Sequence, residues 1–452
     1  MKSDTIVAIA TPPGVGGIAV VRLSGAEALP IALKHLSVSA LKPRYATYCT
    51  LYQEAGEKKK PLDDGIAIYY PCGYTGEPTV EFSCHGSRYV QQAVVQTFID
   101  SGARLAEPGE YTMRAFRNGR LDLSQAEAVA DLIDAVTPAQ HRLAVSQLRG
   151  GYANELRALR QQLLDLTSLL ELELDFSQED VEFADRSKLM QLVENISLRI
   201  RNLHSTFRLG NALKQGIPTA IIGRPNAGKS SLLNALLADN RAIVSPIAGT
   251  TRDTVEETFT IDGITFRLID TAGLHHTADP LEQMGIDRAI NAALQADIIL
   301  YVHDATRPWT EVDDDMRTLR DAGVQLDEKH LWVVSNKIDL PGAVHPTDGH
   351  SIAISSTEGI GLERLRQCLV HSVDADATSA NQTLLSNARH YEALGHTDKA
   401  LQQVALGLAD GTPADLVAVD LRDALYHLGT ITGDIANDEV LTNIFSRFCI
   451  GK

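Results

Sequence analysis

No apolar run in this 452-residue chain is long enough to cross a bilayer, and no signal peptide is recognisable, so the expected location is cytoplasmic with no membrane partner. Cysteine is scarce. Cys49, Cys72, Cys84, Cys368 and Cys449 are scattered, odd in number and free of metal-ligand spacing, which suits unpaired thiols in a reducing compartment. Basic charge is in deficit: 41 Lys and Arg stand against 58 Asp and Glu, for a formal net charge of −17. That balance counts against a broad basic surface for bare nucleic acid, while a local basic patch, or RNA brought by a more basic partner, stays compatible with it. Low-complexity segments, obvious repeats and any stretch resembling a known RNA-binding module are also missing.

What is present reads as an ordinary globular composition, 44% hydrophobic and 22% charged, in a chain too long for a single core. Residues 1–118 mix short β-like runs (Thr5–Ala10, Ile18–Leu23, Gly65–Tyr70, Thr79–Ser83) with turns such as Pro12-Pro13-Gly14, the pattern of an α+β domain. From residue 119 the period turns helical. Leu156, Leu159, Leu163, Leu166 and Leu170 share one helix face, as do Leu189, Leu192, Ile196, Ile200 and Leu203, which predicts a packed helical bundle. Beyond Thr219, short apolar runs (Thr219–Ile222, Ile264–Ile269, Asp297–Val302, Leu331–Ser335, Ser351–Ser355) alternate with helical stretches, as in a parallel sheet covered on both faces. A polar stretch, Asp374–Thr383, leads back into helix. The expected fold is therefore multidomain α/β: an N-terminal α+β domain at 1–118, a helical domain in two parts at 119–212 and 376–452, and a Ras-like P-loop G domain at 213–375 inserted between them.

Gly223-Arg224-Pro225-Asn226-Ala227-Gly228-Lys229-Ser230 fits G-x-x-x-x-G-K-S between a predicted strand and a predicted helix. Its glycines let backbone N–H groups turn toward phosphate, and the helix N-terminus adds a favourable dipole. Lys229 would reach the β- and γ-phosphates and the Ser230 hydroxyl would ligate Mg²⁺, with Ser231 completing the contacting run. Asp270-Thr271-Ala272-Gly273 supplies a carboxylate for the Mg²⁺ shell and a backbone N–H for the γ-phosphate. Asn336-Lys337-Ile338-Asp339 matches the N-K-x-D element that reads guanine: Asp339 accepts from the ring N–H and the exocyclic amine, and adenine would leave that carboxylate unpaired. Ser355-Ser356-Thr357 lies where a backbone N–H would meet the base oxygen. Together these elements, in order and each at a strand end, imply a GTP site and a GTP hydrolase. In Gly249-Thr250-Thr251-Arg252-Asp253, Thr251 is the natural switch threonine, a second hydroxyl for Mg²⁺. Leu274 stands where Ras-like enzymes that orient water directly carry Gln, so another group must do that; Asp279 and Glu282 both lie close downstream.

The last five residues, Phe448-Cys449-Ile450-Gly451-Lys452, together with Gly249-Thr250-Thr251-Arg252-Asp253, resemble the MnmE/TrmE family of tRNA-modification GTPases. Ala10-Thr11-Pro12-Pro13-Gly14, Tyr74-Thr75-Gly76-Glu77, His85-Gly86, Pro108-Gly109-Glu110-Tyr111-Thr112 and Leu121-Asp122-Leu123-Ser124-Gln125-Ala126-Glu127-Ala128 look like further elements of that family, in order. The resemblance implies a homodimer working with a flavoprotein, MnmG, whose FAD and NADH serve the reaction, to install an aminomethyl or carboxymethylaminomethyl group at C5 of the wobble uridine (U34) of certain tRNAs. It implies a tetrahydrofolate derivative (5,10-methylene- or 5-formyl-) in the N-terminal domain, which also mediates the homodimer, and K⁺ as an activating ion. By resemblance, Asn226, Ser245, Ile247 and Thr250 match the K⁺ ligands, with Ser245 standing where Thr is frequent. Glu282 matches the catalytic glutamate that orients the attacking water through a second water, which decides between it and Asp279. Arg22, Glu81 and Lys452 match folate-binding positions; Arg120 stands where Lys is usual, keeping the charge and changing its geometry. Cys449 falls within the terminal motif and is a candidate for a role in modification.

Two other classes compete with this expectation. A switch-type ribosome-assembly GTPase docking on RNA would share the nucleotide motifs but has no reason to bind folate, and the acidic balance disfavours it. A membrane-transport G domain is disfavoured by the lack of spanning segments.

Overall fold

The computed structural model of the chain describes residues 4–55, 58–175, 186–238, 257–269, 282–326, 330–344, 351–377, 384–446, 448 and 450–451. They form two compact units: one gathers residues 1–134, 144–196 and 396–452, the other residues 135–143 and 197–395. Among the described residues no helix is long and apolar enough to cross a membrane.

The first unit is built on a six-stranded sheet of β1 (Ile6–Ile9), β2 (Gly16–Ser24), β3 (Thr47–Ala55), β4 (Lys58–Tyr70), β5 (Thr79–Gly86) and β6 (Arg104–Leu105), in the order β3-β4-β5-β2-β1-β6. All neighbours are antiparallel except β1 and β6. Along β2, Ala19, Val21 and Leu23 are buried while Val20 and Arg22 are half-buried, the period of two that puts one face in a core. That core takes Phe82, Leu51 and Val7 from the sheet, Ala28 and Ile31 from α1 (Ala28–His35), and Val94 and Phe98 from α2 (Arg88–Asp100). On the opposite face, Ile6 and Ala8 of β1 pack with Ala106 and with Tyr111 of α3 (Glu110–Arg117). The sheet is larger than expected. β3 and the first half of β4 form a hairpin absent from the sequence expectation, although Cys49 and Leu51 are buried and Tyr48 is exposed, a period-two signal.

The helices of this unit are α4 (Leu123–Asp134), α5 (Pro138–Leu148, entered from residue 144), α6 (Gly151–Asp175) and the first part of α7 (Arg186–Ser205). The predicted stripe Leu156, Leu159, Leu163, Leu166 and Leu170 is buried along α6. On α7, Leu189 and Ile196 are buried as expected, but Leu192 is half-buried and its neighbour Val193 takes the inner position. After the intervening unit the chain re-enters this one within α13 (Ala388–Ala409), at residue 396, and continues with α14 (Ala414–Thr432) and α15 (Asp438–Phe445). α14, in which Val417, Leu421, Leu425 and Leu428 are buried, packs on α6, so helices from before and after the intervening unit pack on one another, as expected of an insertion. α15 packs on α3, where Phe445 and Phe448 close over Leu123 and Ala126.

The second unit includes α8 (Phe207–Gln215) and a six-stranded sheet. Its elements are β7 (Ile217–Ile222), α9 (Lys229–Ala238), β8 (Thr258–Ile261), β9 (Ile264–Leu268), α10 (Glu282–Gln295), β10 (Ile298–Asp304), α11 (Thr310–Asp321), β11 (His330–Asn336), β12 (Ser351–Ala353) and α12 (Leu362–Ala377). The order is β12-β11-β10-β7-β9-β8, parallel apart from β8, which the sequence expectation lacked and which pairs antiparallel with β9 around Asp262-Gly263. Along β10, Ile298, Leu300 and Val302 enter one core while Ile299 and Tyr301 enter the other, so the sheet is covered on both faces. Parallel strands bring their carboxyl ends to one edge. Ile222, Asp304, Asn336 and Ala353 therefore lie along that edge, where ligands of such sheets bind.

Candidate nucleotide-binding site

The P-loop leaves β7 at Ile222 and delivers Lys229 and Ser230 into the first turn of α9. Asn226 adopts φ 63°, a left-handed conformation asparagine tolerates, and its side chain is exposed. Gly228 sits at φ 97°, and a Cβ there would come within 2.1 Å of Asn336 Nδ2, so no side chain fits between the loop and the sheet edge. The Lys229 ammonium donates to the carbonyls of Gly223 (2.7 Å) and Arg224 (2.9 Å), and burial lowers its pKa. Bare backbone, a helix N-terminus and a lysine on one loop form a donor set that fits the phosphates of a nucleotide, with the exposed Ser230 hydroxyl beside them for a hard cation.

Asn336, 2% exposed, joins the loop to the rest of the edge. Its amide nitrogen donates to Ala227 O (3.1 Å), and its oxygen accepts from the backbone N–H groups of Lys337 (2.9 Å) and Ser356 (3.1 Å) and from Ser356 Oγ (3.0 Å). One side chain thus ties three predicted nucleotide elements together: the P-loop, the N-K-x-D loop and Ser355-Ser356-Thr357. Ser355 is fully buried, its hydroxyl accepting from Glu358 N (3.2 Å) and bonding Thr357 Oγ1 (3.1 Å), which shapes the turn that presents Ser356. Asp339, three residues beyond Asn336, is exposed. The expected switch and metal residues Ser245, Ile247, Thr250, Thr251, Asp270, Thr271, Ala272 and Gly273, and Asp279, lie outside the described residues. Glu282 opens α10, and its side chain lies outside them too.

Two arrangements at this edge were not foreseen. Arg224, a variable position of the P-loop pattern, turns away from the phosphate side and grips Asp315 of α11 bidentately (2.9 and 3.0 Å), with Glu311 at 3.2 Å and the Tyr301 hydroxyl also donating to Asp315. Asp304, at the end of β10, accepts from the Lys337 ammonium at 2.6 Å and from Thr306 Oγ1 and N. Burial alone would raise the Asp304 pKa; the Lys337 and Thr306 hydrogen bonds outweigh it and bring it down to about 2. Neither partner is near in sequence, and the only clue to Asp304 was its place at the carboxyl end of a parallel strand.

In the first unit, a cavity of about 370 Å³ is lined by Arg44, Tyr70, Cys72, Gly73, Tyr74, Thr79, Glu81 and Arg120. Of the expected folate residues, Glu81 and Arg120 line it. Arg22 is not among the lining residues but reaches Glu81 with an ion pair at 2.8 Å, its guanidinium 5.6 Å from the Tyr111 ring centre. Lys452, like Cys449, lies outside the described residues. The walls are wound from the Tyr74-Thr75-Gly76-Glu77 motif: Tyr74 OH bonds Thr112 Oγ1 (3.0 Å), Thr75 Oγ1 bonds Ser24 Oγ (2.6 Å), and Glu77 pairs with Arg114 (3.2 Å). Tyrosine rings, a carboxylate and two guanidiniums form a donor set that fits a flat heterocycle bearing N–H groups with a carboxylate tail. Arg44, Tyr70 and Cys72 carried no sequence signal for this cavity.

The family profile described as "GTP-binding protein TrmE N-terminus" matches residues 5–120, and that described as "MnmE helical domain" matches residues 123–449. Curated relatives named "tRNA modification GTPase MnmE" align end to end with the chain. That of Parabacteroides distasonis is 46% identical over 99% of this chain and 100% of its own length, and that of Cytophaga hutchinsonii is 46% identical over 100% and 98%. Among solved structures, the G domain of the T. maritima FeoB iron transporter is 23% identical, with a TM-score of 0.24 over 34% of this chain and 97% of its own. An SsGBP variant is 21% identical, with a TM-score of 0.27 over 41% and 70%.

Proposed function

The chain belongs to the MnmE/TrmE family of tRNA modification GTPases, and from that premise we propose that it is a K⁺-stimulated GTPase that, as a homodimer in a complex with an MnmG-type flavoprotein, installs an aminomethyl or carboxymethylaminomethyl group at C5 of U34 in certain tRNAs. The observation that carries the nucleotide half is the Asn336 junction, which brings three separate nucleotide elements to one sheet edge.

In this reading Lys229 and the α9 N-terminus hold the phosphates, Asp339 accepts from guanine, and a Ser356 backbone contact reads the base oxygen. Ser230 and Thr251 ligate Mg²⁺ with Asp270 in its shell; Asn226, Ser245, Ile247 and Thr250 ligate K⁺ through hard oxygens, and Asn226 is exposed for that task. When bound, the two cations offset charge developing on the phosphate oxygens. Glu282 orients the attacking water, since Leu274 has no polar group. Glu81 accepts from the N–H edge of a tetrahydrofolate derivative, the one-carbon donor, while Arg22 fixes the Glu81 carboxylate and Arg120 and Lys452 meet anionic groups. Cys449 acts in the modification step and not in hydrolysis. The acidic balance is accommodated if the flavoprotein supplies most of the tRNA-binding surface.

The test is mass spectrometry of nucleosides from tRNA of cells lacking this chain. Loss of the C5 aminomethyl-type wobble uridines is expected, and restoring the chain as Glu282→Ala should fail to bring them back. An unchanged profile, in a strain without a redundant copy, would sink the proposal and favour a switch-type GTPase.

A further inference from the structure

Lys337 is one of four described non-glycine residues at positive φ, at 66°. A left-handed side-chain-bearing residue is strained, and it persists where its surroundings over-determine it. Three restraints hold Lys337. Its N–H donates to Asn336 Oδ1, its carbonyl accepts from Leu340 N (3.1 Å), and its ammonium is bound by Asp304 at 2.6 Å. The first two are made within the loop. The third reaches across the sheet edge to the neighbouring strand, where Asp304 stands in register with Asn336. Asp304 is itself held: Thr306 donates to it twice, its side chain is only 12% exposed, and the next residue, Ala305, donates to Asn336 O (2.9 Å) and accepts from Val344 N (2.8 Å). The Asp304 carboxylate is thus a fixed point on the sheet, and Lys337 is a strut from it to the turn that carries Asp339 two residues later.

We propose that Asp304 is a positioning residue for guanine: through Lys337 it holds the Asn336–Asp339 turn in its base-reading shape before nucleotide arrives. The inference rests on the assignment of Asp339 to guanine made above. Without Asp304 the start of the turn is still held by Asn336 and by Ile338 N donating to Ile354 O (3.2 Å). The strained Lys337, however, loses its one side-chain restraint, and the ligand has to supply that part of the ordering, which weakens binding without touching the phosphate chemistry.

The experiment measures GDP affinity and GTP hydrolysis on the full-length protein. Asp304→Ala should weaken GDP binding by about tenfold, the size of one partly exposed charge-assisted hydrogen bond, and raise KM for GTP by a similar factor with kcat held within about twofold. Asp304→Asn, which keeps an acceptor for Lys337, should recover most of the loss. In a Lys337→Met background the same Asp304 substitutions should have no further effect, because the strut is already gone. Should Asp304→Ala fail to fold, Asp304→Asn and the Lys337→Met cycle carry the test. Parental GDP affinity in Asp304→Ala, equal losses in the two backgrounds, or parallel losses of kcat and affinity in both Asp304 variants would overturn the proposal. Asp339→Asn separates the underlying assignment: it should lose GDP and gain xanthosine diphosphate. If it binds GDP as the parent does, the guanine assignment has failed; if it loses GDP while both Asp304 variants do not, only the role of Asp304 has.

Discussion

Glu110→Gln removes one charge from a network that holds α3 in place, and its consequences can be worked from the contacts. The Glu110 side chain is 5% exposed and accepts from Arg104 Nη1 and Nη2 (3.1 and 2.6 Å), Arg114 Nε and Nη2 (3.2 and 2.8 Å) and Glu107 N (2.8 Å). Asp4 and Glu77 complete the set around the two arginines. Glutamine fills the same volume but turns an amide donor toward guanidinium donors. Breaking a buried ion pair from one side costs about 3–5 kcal/mol. Arg104 is 41% exposed and Asp4 56%, so water and Asp4 take up part of the loss, and about 2–3 kcal/mol is the expected destabilisation. Hydrogen exchange of peptides covering residues 104–117 should then be roughly 30- to 150-fold faster in the variant. Both tryptophans, Trp309 and Trp332, belong to the second unit, so an unmoved urea transition in tryptophan fluorescence is the internal control.

The effect has a defined pH window. Burial raises the Glu110 pKa, but hydrogen bonds from Arg104, Glu107 N and Arg114 outweigh it, and the net shift is downward. A depressed folded pKa contributes stability that is present above the unfolded value, about 4.3, and is lost as pH falls through the folded one. The gap between parent and Glu110→Gln should therefore be full at neutral pH and close below about pH 4. Tyr111 and Thr112, the next residues on α3, donate to Arg22 O (2.7 Å) and bond Tyr74 OH (3.0 Å), so 5-formyltetrahydrofolate affinity should fall with the helix. Parental exchange across residues 104–117 at pH 7 would refute the reasoning, whatever happened to ligand binding.

Gly228→Ala should abolish nucleotide binding, by about a hundredfold or more in GDP affinity, because its Cβ would overlap Asn336 Nδ2 at a φ of 97°; binding within a few-fold of the parent would show that the P-loop yields there. Arg224→Met removes the bidentate grip on Asp315 and should lower the stability of the second unit by about 1 kcal/mol, read as the urea midpoint of tryptophan fluorescence; an unmoved midpoint would make the clasp incidental. His35 is buried, with Nδ1 at 3.1 Å from Tyr52 O and Nε2 at 2.6 Å from Ser101 Oγ, and burial lowers its pKa. Its contribution is present above about pH 6.5 and is lost as pH falls toward the depressed folded value, so acid titration of stability by circular dichroism should show a slope there that His35→Gln removes; the same slope in both proteins would count against it.

Local signals in the sequence carried far, and pairings across sequence did not. Gly223–Ser230 and Asn336–Asp339 were readable because each is a contiguous loop whose residue types follow from the geometry one short segment must adopt. The α6 leucine stripe was readable because helical period alone decides which side is inside. On α7 the same logic slipped by one residue, placing Val193 inside and leaving Leu192 half-covered, since packing and not period decides between adjacent positions. Strands β3 and β8 carry alternating apolar residues, Cys49 and Leu51 in one and Phe259 and Ile261 in the other. They went unread because each is an edge strand whose polar positions, Thr47, Thr50, Gln53 and Glu54 in β3 and Thr258 and Thr260 in β8, leave no continuous apolar run, and what fixes it is pairing with β4 or β9. The Arg224–Asp315 and Lys337–Asp304 pairs span 91 and 33 residues, and nothing in either local segment announces its partner.

The same distinction explains why the motifs at the two ends of the chain could be matched to a family but not given structural roles from sequence. Ile450 bridges to Pro108, while Phe448 and Phe445 bury against Leu123 at the start of α4. Gly109, φ 66°, lies so close to Phe445 O that a Cβ would come within 2.4 Å of it. Pro108-Gly109-Glu110-Tyr111-Thr112 therefore has three structural tasks within five residues. Its glycine admits the carboxyl-terminal helix, its glutamate anchors the arginine network, and its Tyr-Thr pair backs the cavity through Arg22 and Tyr74. Each task constrains a different position, so little freedom is left in the segment as a whole. α3 is thus the element against which both the α15 contact and the Tyr74 wall of the cavity are built, which is why the segment opening it carries the residues of both.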